Sequence, residues 1–123
     1  GDPLIDMKTA MLSALQHLPA CTEESFLLQE NPLPLIVVGD AERAVLARVD
    51  GKPYLEQYRA QVDVYASTPV EADALAAQAD TALWQLGLIR ESYQESHDEQ
   101  AFAYRRSMLY KAVLMGEWIY QEG

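Results

Sequence analysis

Few residues in this sequence have the types and the spacing of a reactive centre. His17 and Cys21 are four residues apart, and on a continuous helix that spacing would place an imidazole base beside a thiol nucleophile. Pro19 lies between them and ends the helix at that point. We therefore interpret Cys21 as a buried structural thiol and expect no catalytic pair here.

Carboxylate groups do not form a reactive pattern either. His97, Asp98 and Glu99 adjoin in a polar turn, where consecutive side chains diverge instead of converging on a metal ion. Asp73 and Asp80 share one helix with its other acids, on the side that we expect to be solvated. No glycine-rich phosphate loop opens a helix. We predict no enzyme activity, no metal and no cofactor.

Two adjacent arginines in a predicted strand allow two interpretations. Because neighbouring strand residues face opposite sides, either Arg105 or Arg106 must point with the apolar positions. If Arg106 does, it needs a buried carboxylate such as Asp63 or an opening at the sheet edge. If a bulge lets both reach solvent, no partner is needed; otherwise the pair is a candidate docking site for acids of a neighbouring subunit.

The elements that position these residues are organised around a strand that leads directly into a helix. Residues 58–66 alternate between apolar and mostly polar side chains, which predicts a strand with one buried face. Thr68, Pro69 and Glu71 then form a helix start, with a cap, a proline at the first helical position and a capping-box glutamate. Gly87 then ends the helix, because glycine readily adopts the left-handed backbone conformation of a helix C-terminus.

This second helix has a narrow inward face rich in alanine, which allows close approach to a sheet. The inward residues are Ala72, Leu75, Ala79, Ala82, Leu83 and Leu86. Asp73, Asp80 and Trp84 lie on the opposite side. Trp84 is either a lid on a neighbouring loop or a contact to another chain.

The N-terminal part predicts one more helix, from Pro3 to His17, started by Asp2 and ended by Pro19. Between Ala20 and Pro34 the apolar residues follow neither helical nor strand spacing, so we expect an irregular loop with at most a short strand near Phe26.

Strands account for the rest of the chain. Residues 35–38 form an apolar β-branched run, residues 43–49 alternate, and Asp50-Gly51 is a strong hairpin signal. We expect a long hairpin over residues 43–66, and after the helix two further strands, over 89–95 and 102–115. The prediction is an α+β fold with a mainly antiparallel sheet of about four to five strands and two helices on one face, in the order α-β-β-β-α-β-β.

Composition limits the classes of function. The chain has 123 residues, which predicts a single domain over 1–123, and carries a net charge of −10. An acidic surface disfavours binding to DNA phosphates but allows DNA to slide past without adhering. Neither a run of about 20 apolar residues nor a signal-peptide pattern occurs, so we expect no membrane contact.

Taken together, the pattern resembles the tail-terminator proteins of long-tailed bacteriophages, also called tail-completion or minor tail protein U-like proteins. The likeness is carried by the amphipathic first helix over 5–18, the proline-flanked strand 33–38, the segment 61–69 that leads into an Asp- and Ala-rich helix, and Tyr104-Arg105-Arg106. The resemblance implies a structural subunit of the virion tail, assembled in the bacterial cytoplasm. It implies a homo-oligomeric ring, commonly a hexamer, that caps the tail-tube protein and offers a surface to the head connector.

A ring of this kind needs two different patches on each subunit. Our hypothesis places Asp50 and Gly51 with Arg105 and Arg106 in one patch. The other is the acidic helix face with Asp73, Asp80 and Trp84. Two alternatives stay open: a head-tail connector (neck) protein of the same kind of particle, and a cytoplasmic adaptor or small-ligand-binding domain with an apolar pocket.

Overall fold

The computed structural model describes residues 6–22, 32–100, 102–116 and 118–120. Their elements, in chain order, are α1 (Met7–Ala14), β1 (Ala20–Thr22), β2 (Leu35–Val49), β3 (Lys52–Ala66), α2 (Pro69–Leu86), β4 (Ile89–Asp98), β5 (Ala103–Met115) and β6 (Trp118–Ile119). The short strand expected near Phe26 lies outside the described residues. Neither described helix is long and apolar enough to cross a membrane.

One sheet joins all the described strands, in the order β1-β2-β3-β5-β4, with β6 paired to the end of β5. Of the strand pairs in the described residues, only β1–β2 is parallel. Both described helices pack on the same face, where the main core forms between them and the alternate residues of the central strands. The predicted α+β class, the mainly antiparallel sheet and the element order are confirmed.

Helix α2 begins and ends where the sequence predicts. The Thr68 hydroxyl accepts from the backbone N–H of Glu71 at 3.2 Å, and Pro69 occupies the first turn. The Glu71 carboxylate reaches one residue further back than in a standard capping box, to the N–H of Ser67. Gly87 ends the helix at φ 111°, and its N–H donates to the carbonyl of Trp84.

Helix α1 is shorter than predicted. It begins at Met7, with Asp6 in extended geometry accepting from the N–H of Thr9. The predicted start at Asp2 and Pro3 lies outside the described residues. At the other end, residues 15–17 form a turn instead of helix.

The predicted break between strands 35–38 and 43–49 is wrong, because one strand spans both. Gly39 pairs with Gln61, and a register shift between Asp40 and Glu42 absorbs the extra residue without ending the ladder. The predicted irregular loop is also wrong at its start. Ala20–Thr22 is a strand that pairs with the edge of β2, a tertiary contact that so short a segment cannot signal in its own pattern.

The hairpin turn is as predicted. Asp50 and Gly51 have φ values of 52° and 77°, as a type I′ turn requires at both central positions. Strands β2 and β3 pair from Leu35↔Tyr65 to Val49↔Lys52, so the hairpin has arms of 15 residues each.

Candidate interaction surfaces

The outer part of the β2–β3 hairpin, residues 45–54, is named here the hairpin tip. Strand β5 follows β3 only as far as the Leu55↔Met115 pair, so the tip extends past the neighbouring strand. Its exposed apolar side chains are between 41% and 54% accessible: Val45, Leu46, Val49 and Tyr54. Exposed apolar groups gathered on a projecting element are typical of a surface that another molecule covers.

A second exposed apolar surface lies where α2 ends and β4 begins, and is named here the tryptophan groove. Its volume is about 560 Å³, and its lining is Gln57, Trp84, Gln85, Gly87, Ile89, Lys111, Ala112, Val113 and Tyr120. Trp84 is 69% exposed, and Ile89 and Tyr120 are also exposed. Within the described residues Trp84 therefore does not act as a lid on a neighbouring loop, and its contact to another chain stays a prediction.

Arg106 is enclosed instead of free. It is 4% exposed and its Nε donates to Asp73 Oδ1 at 2.7 Å, while the Tyr93 hydroxyl donates to the same oxygen. The carboxylate that satisfies it comes from α2, not from Asp63 as suggested. The register of β5 runs without a shift past this point, so the predicted bulge is wrong.

Asp80 makes a second connection between α2 and the sheet, closer to the C-terminal end of the helix. The buried Tyr110 hydroxyl donates to Asp80 Oδ1 at 2.7 Å, and Arg90 Nη1 lies 3.9 Å from that oxygen. Burial, together with this hydrogen bond to a carboxylate, raises the pKa of Tyr110. Asp73 and Asp80 are thus both bonded to the sheet beneath α2, although their side chains remain partly exposed.

Arg105 lies on the face of the sheet opposite to α1 and α2. Its Nε and Nη2 lie 3.2 and 3.1 Å from Asp63 Oδ1, which also accepts from the Ser107 hydroxyl at 2.7 Å. Its guanidinium is 5.6 Å from the centre of the Tyr65 ring. The two arginines that the sequence placed in one docking pair therefore bind two different carboxylates on opposite faces.

The structure also distributes the residues of the two predicted patches differently from the prediction. Asp50 and Gly51 lie at the exposed end of the hairpin, whereas Arg105 pairs with Tyr65 near the other end of β3. Only Asp50 and Gly51 therefore belong to the hairpin tip. On the α2 side, Trp84 lines the tryptophan groove, while Asp73 does not.

Sequence reasoning missed most of the tryptophan groove. Ile89, Lys111 and Tyr120 come from three strands or strand ends, and no local pattern links them. The available signal was Ile89 itself, an apolar residue at the start of a strand whose other positions are mostly polar.

The residues with reactive side chains do not converge. His17 lies in the turn after α1, whereas Cys21 lies in β1 with its backbone paired to Val37. Burial raises the pKa of the Cys21 thiol, which favours its protonated form. The His97 ring packs edge-on against Tyr104, with centres 4.8 Å apart. Within the described residues, no group of three or more His, Cys, Asp or Glu could hold a metal ion.

In comparisons with known proteins, no protein-family model matches the chain, and no curated protein matches it.

Proposed function

We propose that this chain is a structural subunit of a bacteriophage or prophage tail, a terminator protein that closes into a ring on the finished tail tube. In this proposal the ring stops tube growth and offers its far side to the head connector. The observation that carries it is the presence of two different exposed apolar surfaces, the hairpin tip and the tryptophan groove, on one chain.

Two different surfaces favour a ring over a symmetric dimer. A two-fold dimer uses one self-complementary patch, whereas a head-to-tail contact joins unlike patches and closes when the rotation between subunits permits. In this proposal the hairpin reaches the next subunit, because it extends beyond β5. The α+β class also agrees with the α+β subunit that the tail-terminator resemblance implies.

Charge supports the same function. Each subunit carries a net charge of −10, and a ring multiplies that charge around its central opening. Phosphate affinity depends on the cations that a surface offers. Such a ring therefore lets DNA pass from head to tail without holding it.

The tryptophan groove also favours a second candidate function, the binding of a small ligand. Its volume of about 560 Å³ lies within the range of ligand pockets, and its lining mixes aromatic and polar groups. That alternative predicts a monomer or dimer whose groove is filled by a metabolite. It leaves the exposed hairpin tip without a role.

Genetic deletion in the phage or prophage that carries the gene tests the proposal. Loss of a terminator should give tail tubes of uncontrolled length in electron micrographs, and expression of the chain in trans should restore uniform tails. Loss of a neck protein should instead leave uniform tails beside unattached heads, which would assign the chain to the connector. Tails of normal length that are still joined to heads would contradict both assignments.

A further inference from the structure

We propose that the ring closes by insertion of the hairpin tip of one subunit into the tryptophan groove of the next. This inference rests on the proposed function in one respect, the ring, and adds the pair of surfaces that forms it. The occupant of the groove is a second copy of this chain.

The two surfaces cannot meet within one chain. Gln57 lines the groove, and it lies on β3, the same strand that leads back to the hairpin turn. At a rise of about 3.3 Å per residue, the turn at Asp50 lies roughly 20 Å beyond Gln57 and points away from it. Since β2 and β3 stay paired up to the turn, the hairpin cannot fold back, and a contact between tip and groove must join two chains.

The chemistry of the two surfaces is complementary. The tip offers aliphatic side chains such as Leu46 and Val49, and the groove offers Trp84, Ile89 and Tyr120 to cover them. Aromatic residues of this kind dominate the binding energy of interfaces.

One pair of opposite charges is available to this contact. Among the described lining residues the charged one is Lys111, a cation in a chain of strongly negative net charge. Asp50 and Lys52 are both exposed at the turn, and Arg48 donates to the carbonyl of Gly51 within it. Insertion of the tip therefore brings an aspartate towards a lysine.

Pairing of strand edges between subunits is a less suitable contact. Beyond the part that pairs with β1, the outer edge of β2 has no partner strand among the described residues, and β2 carries register shifts between Asp40 and Glu42, and again between Val45 and Arg48. Such bulges twist an edge away from a regular ladder. The opposite edge strand, β4, is polar and exposed along most of its length. Side-chain insertion into a groove needs no continuous ladder and fits both observations.

A directed cross-link tests the contact. In a Cys21→Ala background, one protein carries Val49→Cys at the tip and a second, distinguishable by mass, carries Gln85→Cys at the groove. Equimolar mixing and mild oxidation should give mainly the mixed disulfide. The control replaces Gln85→Cys with Ser96→Cys, which lies on β4 away from the groove and is also exposed. It should cross-link to the tip at least about tenfold less.

Single substitutions give an independent measure. Trp84→Ala, at an exposed site that α2 does not need for packing, should raise the dissociation constant for self-association by at least about tenfold in sedimentation equilibrium. Lys111→Glu should weaken association, and Asp50→Lys should associate more weakly than Glu99→Lys, which has the same net charge of −8 (−10 plus 2). The double variant Lys111→Glu with Asp50→Lys should recover most of the loss. No recovery in the double variant would overturn the pairing of these two residues.

The outcomes separate this inference from the proposed function. Chains that associate without the Val49–Gln85 disulfide form a ring through other surfaces, which overturns the inference and leaves the terminator proposal intact. Chains that stay monomeric near millimolar concentration, with no mixed disulfide, also overturn it, while tail length after gene deletion still decides the function. A metabolite that fills the groove and blocks the cross-link would overturn both.

Discussion

At the scale of single residues, the most informative contact is that between Arg106 and Asp73. The hydrogen bond from Arg106 holds the pKa of the Asp73 carboxyl below its ordinary value of 3.8. A carboxyl whose pKa is lowered by folding stabilises the folded state above its ordinary pKa. That contribution is lost as the pH falls through the lowered value.

Asp73→Asn should therefore lower the free energy of unfolding at neutral pH, and the difference from the unsubstituted chain should shrink below pH 3.8. Urea denaturation at several pH values measures both. Glu99→Gln, in an exposed turn, removes the same charge without a buried partner and should leave stability unchanged at neutral pH. An Asp73→Asn deficit that stays constant into acid would contradict the role of the charge.

Asp63 is the corresponding residue on the face of the sheet opposite to α1 and α2. It is nearly buried and accepts from both Arg105 and Ser107. Asp63→Ala leaves these donors without an acceptor and should cost roughly 2 kcal/mol of stability in urea denaturation. Asp63→Asn, which keeps an oxygen acceptor, should cost less. Gln61→Ala removes only a long contact of 3.4 Å and should cost under about 0.5 kcal/mol; an equal loss in all three variants would contradict this account.

At the scale of elements, the cap of α2 gives a direct test of the helix start. Thr68→Ala removes the side-chain acceptor for the N–H of Glu71 and should cost about 1 kcal/mol. Thr81→Ala is a matched control on the same helix, because its hydroxyl bonds only to the carbonyl of Ala77 on the exposed side. That change should be neutral or slightly stabilising in thermal unfolding. Equal effects would show that Thr68 does not act as a cap.

The hairpin turn allows an equally simple comparison. A Cβ added at Gly51 meets nothing within 4 Å, so the cost of Gly51→Ala arises from its positive φ alone and should be about 1 kcal/mol. Asp50→Asn keeps a residue that tolerates positive φ and should be nearly neutral. Thermal unfolding measures both changes. A neutral Gly51→Ala would mean that the turn adopts another type in solution.

These elements show which parts of the fold a sequence reveals. Thr68, Pro69 and Gly87 act on their own neighbours, as does the Asp50-Gly51 turn, so their structural roles can be read locally. The continuity of β2 through Gly39 depends instead on pairing with Gln61, and β1 exists through its contact with β2. Such pairings join segments that are distant in the sequence, so they produce no local pattern of apolar residues.

The residues of the candidate site divide in the same way, into those that a local pattern reveals and those that only the folded chain brings together. Trp84 was identifiable because it lies on the polar side of an otherwise regular helix pattern. The partner of Arg106 was not, because β5 and α2 meet only in the folded chain and two carboxylates, Asp63 and Asp73, were chemically equivalent choices. The rest of the tryptophan groove needed the structure for the same reason, since Ile89 and Lys111 become neighbours only through the pairing of β4 with β5.

At the scale of the whole molecule, charge should control assembly. Subunits of net charge −10 repel one another, while the contact proposed between tip and groove is mainly apolar. Added salt shortens the screening length from about 10 Å at 0.1 M to about 3 Å at 1 M. It should therefore remove more repulsion than attraction, so that self-association strengthens with salt in sedimentation measurements.

A charge variant separates this effect from a general salting-out. Glu99→Lys, away from both surfaces, changes the net charge by two, from −10 to −8, and should associate more strongly at low salt with a weaker salt dependence. Salting-out would leave the variant and the unsubstituted chain with the same slope. Association that weakens as salt is added would mean that ion pairs between subunits, such as Asp50 with Lys111, outweigh both the apolar contact and the overall repulsion.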